Sequence, residues 1–344
     1  MTQPRLLARV EITNAQGLWD SQNPNPRLGD TLDSVRISFE VRKTLESTPN
    51  TAEITIWNLS PATVNRITGT VRKRLDWTPE QRQQLVAAGA DSTPVELVYD
   101  NAGLASVRLS WGYEGASQTT SFPPLSLGFL GASSAITSIT DGIDSQLVIK
   151  CEDAGAMLGA GRPTRGGSSP VSYAPGTPFA TVVKGLVNAL GLTINEATLT
   201  NTLRSALLSR DIPLSNLIIA SPYNATSATA AEQLRTVFDG LELRWSVQDG
   251  EFILLDSFDT LAGFPPLVIA GDSLHGQAET LESGEQRVRT WANAEARPGR
   301  EVRLQSDLLG AQYRIDSVET SGDTYEGGET SPTLSEIQTV QGLF

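Results

Sequence analysis

One cysteine and one histidine in 344 residues remove most of the raw material of enzyme active sites. Cys151 by itself excludes an intrachain disulfide and a cysteine-rich zinc site, so stability must come from packing and subunit contacts. It continues an apolar alternation with Leu147 and Ile149 in LVIKCED, which marks it as a small buried hydrophobe. His275 would have to serve any Ser-His-Asp, Cys-His or two-histidine zinc arrangement alone. Flanked by Gly271-Asp272 and Gly276-Gln277, it reads as a turn or interface residue rather than a base. No stretch approaches the ~18 consecutive apolar residues that span a bilayer. Neither phosphate-cradling pattern, G-x-x-x-x-G-K-[ST] or G-x-G-x-x-G, occurs, and the glycines at 159 and 161 do not supply one. A basic stripe is missing too: 26 Lys and Arg, mostly Arg and scattered, face 39 Asp and Glu, a net charge of −13. That balance argues against gripping phosphates. It suits solubility, and equally a channel through which DNA slides without sticking.

What is present is ordinary for a globular chain, with 39% hydrophobic and 19% charged residues and length for roughly two or three domains. The opening MTQPRLLARVEIT has two arginines but no apolar h-region or small-residue cleavage site, which predicts folding in the cytoplasm. Carboxylates pair at Asp141 with Asp144, at Glu152 with Asp153, and at Asp323 with Glu326 and Glu329. All lie at expected turns and strand ends, where a chain this acidic places such pairs by chance. The loop Ser321–Glu329 is oxygen-rich but lacks the spacing of a calcium loop, and reads as a solvated connection. No metal or cofactor site is predicted.

The best-patterned stretch is Val35 to Pro61. Val35, Ile37, Phe39 and Val41 alternate with Arg36, Ser38, Glu40 and Arg42, and Ala52, Ile54 and Ile56 alternate with Thr51, Glu53 and Thr55. Ser47–Asn50 connects the two strands, and Ser60-Pro61 opens a short helix with Ser60 as N-cap. Gly69 stops that helix, and a second begins at Thr78 in a capping box with Gln81, ending near Gly89. Strands follow at 95–99, 107–113, 125–130 and 135–140, and the Asp141-Gly142 turn feeds 143–151. Six or more such strands predict a closed or sandwiched sheet. The Gly, Pro and Ser-rich segment 159–176 marks a boundary.

Beyond it, Thr177-Pro178 caps a helix carrying Phe179, Val182, Val183, Leu186 and Leu190 and ending at Gly191. Leu199, Leu203 and Leu207 mark another helix, and 228–239 a third, stopped by Gly240. A hairpin turns at Asp249-Gly250. The last region gives strands at 267–270, 286–292, 301–305, 312–319 and 332–340, with turns at Pro298-Gly299 and Gly322-Asp323. The fold class is mainly β with an α+β middle module, over residues 1–155, 156–263 and 264–344.

The run ISFEVRKTLESTPNTAEITIWNLSPATVNRI resembles the N-terminal signature of phage baseplate hub and tail hub proteins of contractile or related long-tailed phages. Trp111-Gly112-Tyr113, Leu127–Gly131, Gly142-Ile143-Asp144 with Leu147–Asp153, and later Arg297-Pro298-Gly299, Gln312–Ile315 and Ser321–Asp323, follow the family's order. The pattern departs at Glu319-Thr320, where a histidine is often found. The resemblance implies two tube-like hub β-barrel or sandwich domains flanking the small α+β domain. It further implies a homotrimer that forms a pseudo-sixfold ring, adapts the sixfold tail tube to the threefold central spike, and lines the DNA channel. Implied partners are the tail tube protein, a separate central spike protein, baseplate wedge proteins and the tape measure protein, with DNA passing through unbound. The place of action would be the virion tail baseplate, after assembly in the host bacterial cytoplasm, and no enzymatic activity is implied.

On this reading Arg36, Glu40, Arg42 and Glu53 are candidates for subunit or bore contacts. Two other readings stay open. Six tryptophans and the β content would suit a glycan-binding tail or cell-surface protein, although Trp19, Trp57, Trp77, Trp111, Trp245 and Trp291 are dispersed. A secreted hydrolase would need His275 or one of the carboxylate pairs.

Overall fold

A computed structural model describes residues 4–14, 16–22, 35–68, 73–75, 95–99, 105–116, 123–141, 144–153, 172–190, 192, 194, 196–224, 229–256, 259–261, 263–270, 273–305 and 312–337. The first region contains β1 (Leu6–Asn14), β2 (Gly17–Asp20), β3 (Ile37–Thr44), β4 (Thr51–Trp57), helix α1 (Pro61–Thr68), β5 (Lys73–Leu75), β6 (Val95–Tyr99), β7 (Ser106–Tyr113), β8 (Ser126–Asp141) and β9 (Asp144–Glu152). A middle module holds β10 (Ser172–Tyr173), α2 (Phe179–Ala189), α3 (Glu196–Ser209), β11 (Tyr223–Asn224), α4 (Ala230–Asp239), and the hairpin of β12 (Arg244–Gln248) and β13 (Glu251–Leu255). The last region supplies β14 (Leu267–Ala270), β15 (Glu279–Thr280), β16 (Gln286–Arg287), β17 (Thr290–Trp291), β18 (Glu301–Gln305), β19 (Gln312–Asp323) and β20 (Gly327–Glu336).

The two β regions form one sheet of 16 strands, whose main path runs β15-β16-β20-β19-β3-β4-β9-β8-β7-β1-β2. The seam is the antiparallel pairing of β19 with β3, from Ser317 opposite Thr44 to Asp323 opposite Ser38. Because β3 also pairs with β4, and β4 with β9, the Val35–Pro61 hairpin lies inside the sheet and has no free edge. Its alternation holds: Ile37, Phe39, Val41, Ala52, Ile54 and Ile56 are buried, and Glu40, Arg42 and Glu53 are exposed. The Ser60 hydroxyl accepts from the Thr63 N–H at 3.2 Å, the expected N-cap of α1.

Three apolar cores result. The first gathers residues of β1, β2, β3, β4, β7, β8 and β9 together with Ala292 and Ala294 from the last region. The sheet curls far enough that Phe39 on β3 and Trp111 on β7 place their rings 4.9 Å apart. The second core lies wholly within the middle module, from Ala180 to Phe252, and the third within the last region, from Leu267 to Leu334. Cys151 is 2% exposed, and burial pushes its thiol up to about 12. A thiol reagent is therefore expected to count no cysteine in the native protein and one in denaturant; reaction under native conditions would contradict this packing.

Several expected elements come out differently. The strands read at 125–130 and 135–140 are one strand, β8, which pairs with β7 along its first part and β9 along its second, with a bulge between Ser133 and Ala135. The small polar run between them stays extended because the Ser133 N–H donates to the Ala105 carbonyl, and a Cβ on Gly131 would lie 2.7 Å from the Glu152 carbonyl oxygen. Gly322 and Asp323 are strand residues rather than a turn, and the chain reverses at 324–326. The glycine serves close approach, since a Cβ there would press on Phe39 and Leu6.

The strand read at 286–292 is two short pieces, β16 and β17, pairing with separate stretches of β20. Between them Pro332, with no N–H to give, only accepts from Val288. The last strand begins at Gly327 rather than 332, because Gly327 and Gly328 pair with Asp323 and Gly322. Thr177 does not cap α2; its hydroxyl donates to the Ala174 carbonyl, and Pro178 holds the N-cap position. The helix expected at 78–89, Trp77, and residues 159–171 lie outside the described residues.

Candidate functional site

The sheet's outward face crosses the seam without interruption. One cross-strand row runs Glu329, Ser321, Glu40, Glu53, Lys150 through β20, β19, β3, β4 and β9. The next runs Ser331, Glu319, Arg42, Thr51, Glu152 along the same strands. Asp323 and Ser38 begin a third. Six carboxylates, at positions 40, 53, 152, 319, 323 and 329, thus share this face with Arg42 and Lys150, while Arg36 reaches Asp323 and Arg289 lies 3.9 Å from Glu329 at its edge. Glu40 and Glu53 stand directly opposite each other, an arrangement that costs stability in a sheet. It is partly relieved because Arg42 reaches Glu40 at 2.6 Å and Lys150 reaches Glu53 at 3.6 Å. All four of those side chains are more than half exposed, so neither pair contributes much to folding.

A groove of about 610 Å³ opens on this face, lined by Glu40, Glu53, Asp323, Glu326 and Glu329 on one hand and His275 and Trp291 on the other. His275 stands edge-on to Trp291 with ring centroids 4.3 Å apart, and its Nδ1 lies 3.5 Å from a Glu329 carboxylate oxygen. Among the described residues no group of His, Cys, Asp and Glu is placed to hold a metal ion.

The four residues singled out by sequence divide in two. Glu40, Arg42 and Glu53 lie together on the open face, while Arg36 sits at the seam's end. Its guanidinium donates to both Asp323 oxygens, at 3.1 and 2.9 Å, and to Glu326 at 2.7 Å. It also stacks 4.8 Å from the Trp57 ring and 5.6 Å from that of Tyr325. These hydrogen bonds to Asp323 and Glu326 raise its pKa above the ordinary arginine value. Arg36 therefore ties β3 to the β19–β20 turn within one chain, and Arg36→Ala should destabilise the monomer by about 1–2 kcal/mol.

Sequence reading missed a buried ionic junction beneath this face. Lys43 follows Ile37, Phe39 and Val41 in the inward register of β3 and is 2% exposed. Its Nζ donates to both oxygens of Asp249, at 2.9 and 3.0 Å. Burial lowers the Lys43 pKa, with Asp249 opposing the fall. The inward phase of Lys43 was the available signal, but its partner lies 206 residues away.

Comparison with solved structures finds the same fold in phage tail proteins. The chain is similar to the 43 kDa tail protein of prophage MuSo2 from Shewanella oneidensis, at 9% identity and a TM-score of 0.53, covering 96% of this chain and 98% of that one. It is likewise similar to the tail protein from Neisseria meningitidis MC58, at 7% identity and a TM-score of 0.52, covering 96% and 97%. No protein-family model and no curated protein sequence matches it.

Proposed function

We propose that this chain is a structural hub of a phage tail or baseplate, acting by assembly rather than catalysis. Copies associate as a homotrimeric ring whose inner wall is the acidic face of the β20-β19-β3-β4-β9 sheet. The observation that carries this reading is the continuity of that face across the seam: two β regions far apart in sequence present one polar, carboxylate-rich wall. A wall of that sign repels phosphate and lets DNA pass without binding it. The ring would join the tail tube protein to a separate central spike protein, with wedge and tape measure proteins as further neighbours. The fold shared with two tail proteins supports the setting. Burial of Trp19, Trp111 and Trp245 counts against a sugar-stacking platform.

Electron microscopy of the purified protein tests the proposal: a three-lobed ring with a central hole is the expected image. A protein that stays monomeric in native mass spectrometry, alone and with tube and spike proteins, would overturn it. Where that wall meets the neighbouring copy, Arg42 and Glu53 would serve as subunit contacts, so Arg42→Glu or Glu53→Arg is expected to impair ring formation while shifting monomer stability by less than about 0.5 kcal/mol. Unchanged rings in both variants would remove these residues from the contact.

A further inference from the structure

The middle module is attached to the β platform in a different way from the platform's own parts. The first core mixes residues from both β regions, whereas the module's core contains none from outside it. What joins module to platform is mainly polar: besides two ionic sockets, Gln248 donates to the Pro298 carbonyl, Arg314 to the Asp256 carbonyl and Arg235 to the Ser47 hydroxyl, while Leu255 packs against Gly299. At one point the tip of the β12–β13 hairpin inserts Asp249, which holds φ +53° beside Gly250 at +85°. Its carboxylate accepts from Lys43 of β3, from the Leu130 N–H of β8 at 3.1 Å, and lies 3.6 Å from Arg297 of the last region. Asn50 stands next to it, donating from Nδ2 to Asp153 at 2.7 Å and to the module's Val247 carbonyl at 2.9 Å. At a second point the module's Arg244 donates at 3.0 Å to Asp316, which Arg314 and Ser335 hold from the platform side.

We infer that residues 172–256 form a body of its own, latched onto the platform through the Asp249 and Asp316 sockets and able to undock as a unit when they open. Polar interfaces between units of one chain allow relative motion by default, whereas a shared apolar core does not. A buried ion pair also contributes little net attraction but costs much when one partner is lost, which gives a dock that is either closed or released. Lys43, Arg297, Asp249 and Asp153 are the titratable groups that meet at the first socket; Arg244, Arg314 and Asp316 meet at the second.

Spin labels on Leu208→Cys in the module and Val268→Cys in the platform, both at least half exposed, report the distance between the two bodies. The buried Cys151 stays unlabelled. The otherwise wild-type chain should give one narrow distance, and Asp249→Asn with Arg244→Gln a distribution at least twice as broad, while circular dichroism and the module's amide protection are kept. Asparagine tolerates the left-handed conformation at 249. Because Asp249→Asn leaves Lys43 buried without its counter-charge, Lys43→Met with Arg244→Gln serves as the second variant. A distribution that stays narrow in the folded variants, or module and platform losing protection together in both, would overturn the inference.

Discussion

Trp111→Ala is expected to lower the unfolding free energy by about 3–5 kcal/mol, the range for emptying a large aromatic site in a core. Trp111 is 2% exposed and, among the described residues, is the largest of the fully buried side chains. It packs against Phe39, and its ring occupies the space that a Cβ on Gly128 would need. Those contacts connect β7, β3 and β8, so the cavity would open where the sheet curls on itself. Among the described residues its indole Nε1 has no acceptor, so the loss is one of packing and not of a hydrogen bond. Trp111→Phe should accordingly recover most of the stability, and Gly128→Ala should be damaging because the added methyl meets the same ring. Urea unfolding of the three variants decides the point. Equal losses for Trp111→Ala and Trp111→Phe would show that a polar contact of the indole matters after all.

The second large effect is a pH dependence centred on Asp153. This carboxyl is 7% exposed, and burial pushes its pKa from 3.8 up to about 7, against the opposing hydrogen bonds from Asn50 and the charge of Lys43. The folded protein thus keeps a proton that the unfolded chain has already released. Its contribution to stability is complete below the unfolded pKa near 3.8 and is lost as pH rises through about 7. A rise of that size is worth roughly 4 kcal/mol across the window. Lys43 works in the opposite sense, since its lowered pKa makes stability rise with pH as the unfolded chain approaches the ordinary value of 10.5.

Asp153→Asn cannot ionise, so denaturation midpoints measured from pH 4.5 to 8 should fall in the wild type relative to this variant. The substitution also leaves Asn50 with one acceptor fewer, a pH-independent cost of about 1 kcal/mol. Parallel curves for the two proteins would show that Asp153 is already ionised when folded.

These two residues also mark how far the sequence alone reaches. Period-two alternation located β3, β4, β7 and β9, and helical spacing located α2, α3 and α4, because both signals are carried by neighbours within a few positions. The capping box of Thr229 and Glu232 and the left-handed Asp249-Gly250 turn are equally local. The order of short motifs from Ile37 to Asp323 pointed to a tail hub, and the fold agrees with that of phage tail proteins. Alternation also put Glu40, Arg42 and Glu53 on one face.

What local pattern could not supply is which strand lies beside which. The β3–β19 seam joins positions such as Ser38 and Asp323, and no spacing rule covers such a separation. Only that pairing turns Arg36 from an exposed charge into a clamp on Asp323, and Gly322 from an apparent turn residue into a strand residue packed under Phe39. The same holds for Lys43 with Asp249 and for the carboxylate-rich wall assembled from β20, β19, β3, β4 and β9. Sequence determined the wet and dry sides of the β3–β4 hairpin, since these follow from its own side chains. The tertiary structure decided which wet sides merge into one surface and which buried charges meet, because both depend on contacts between segments that the chain brings together only on folding.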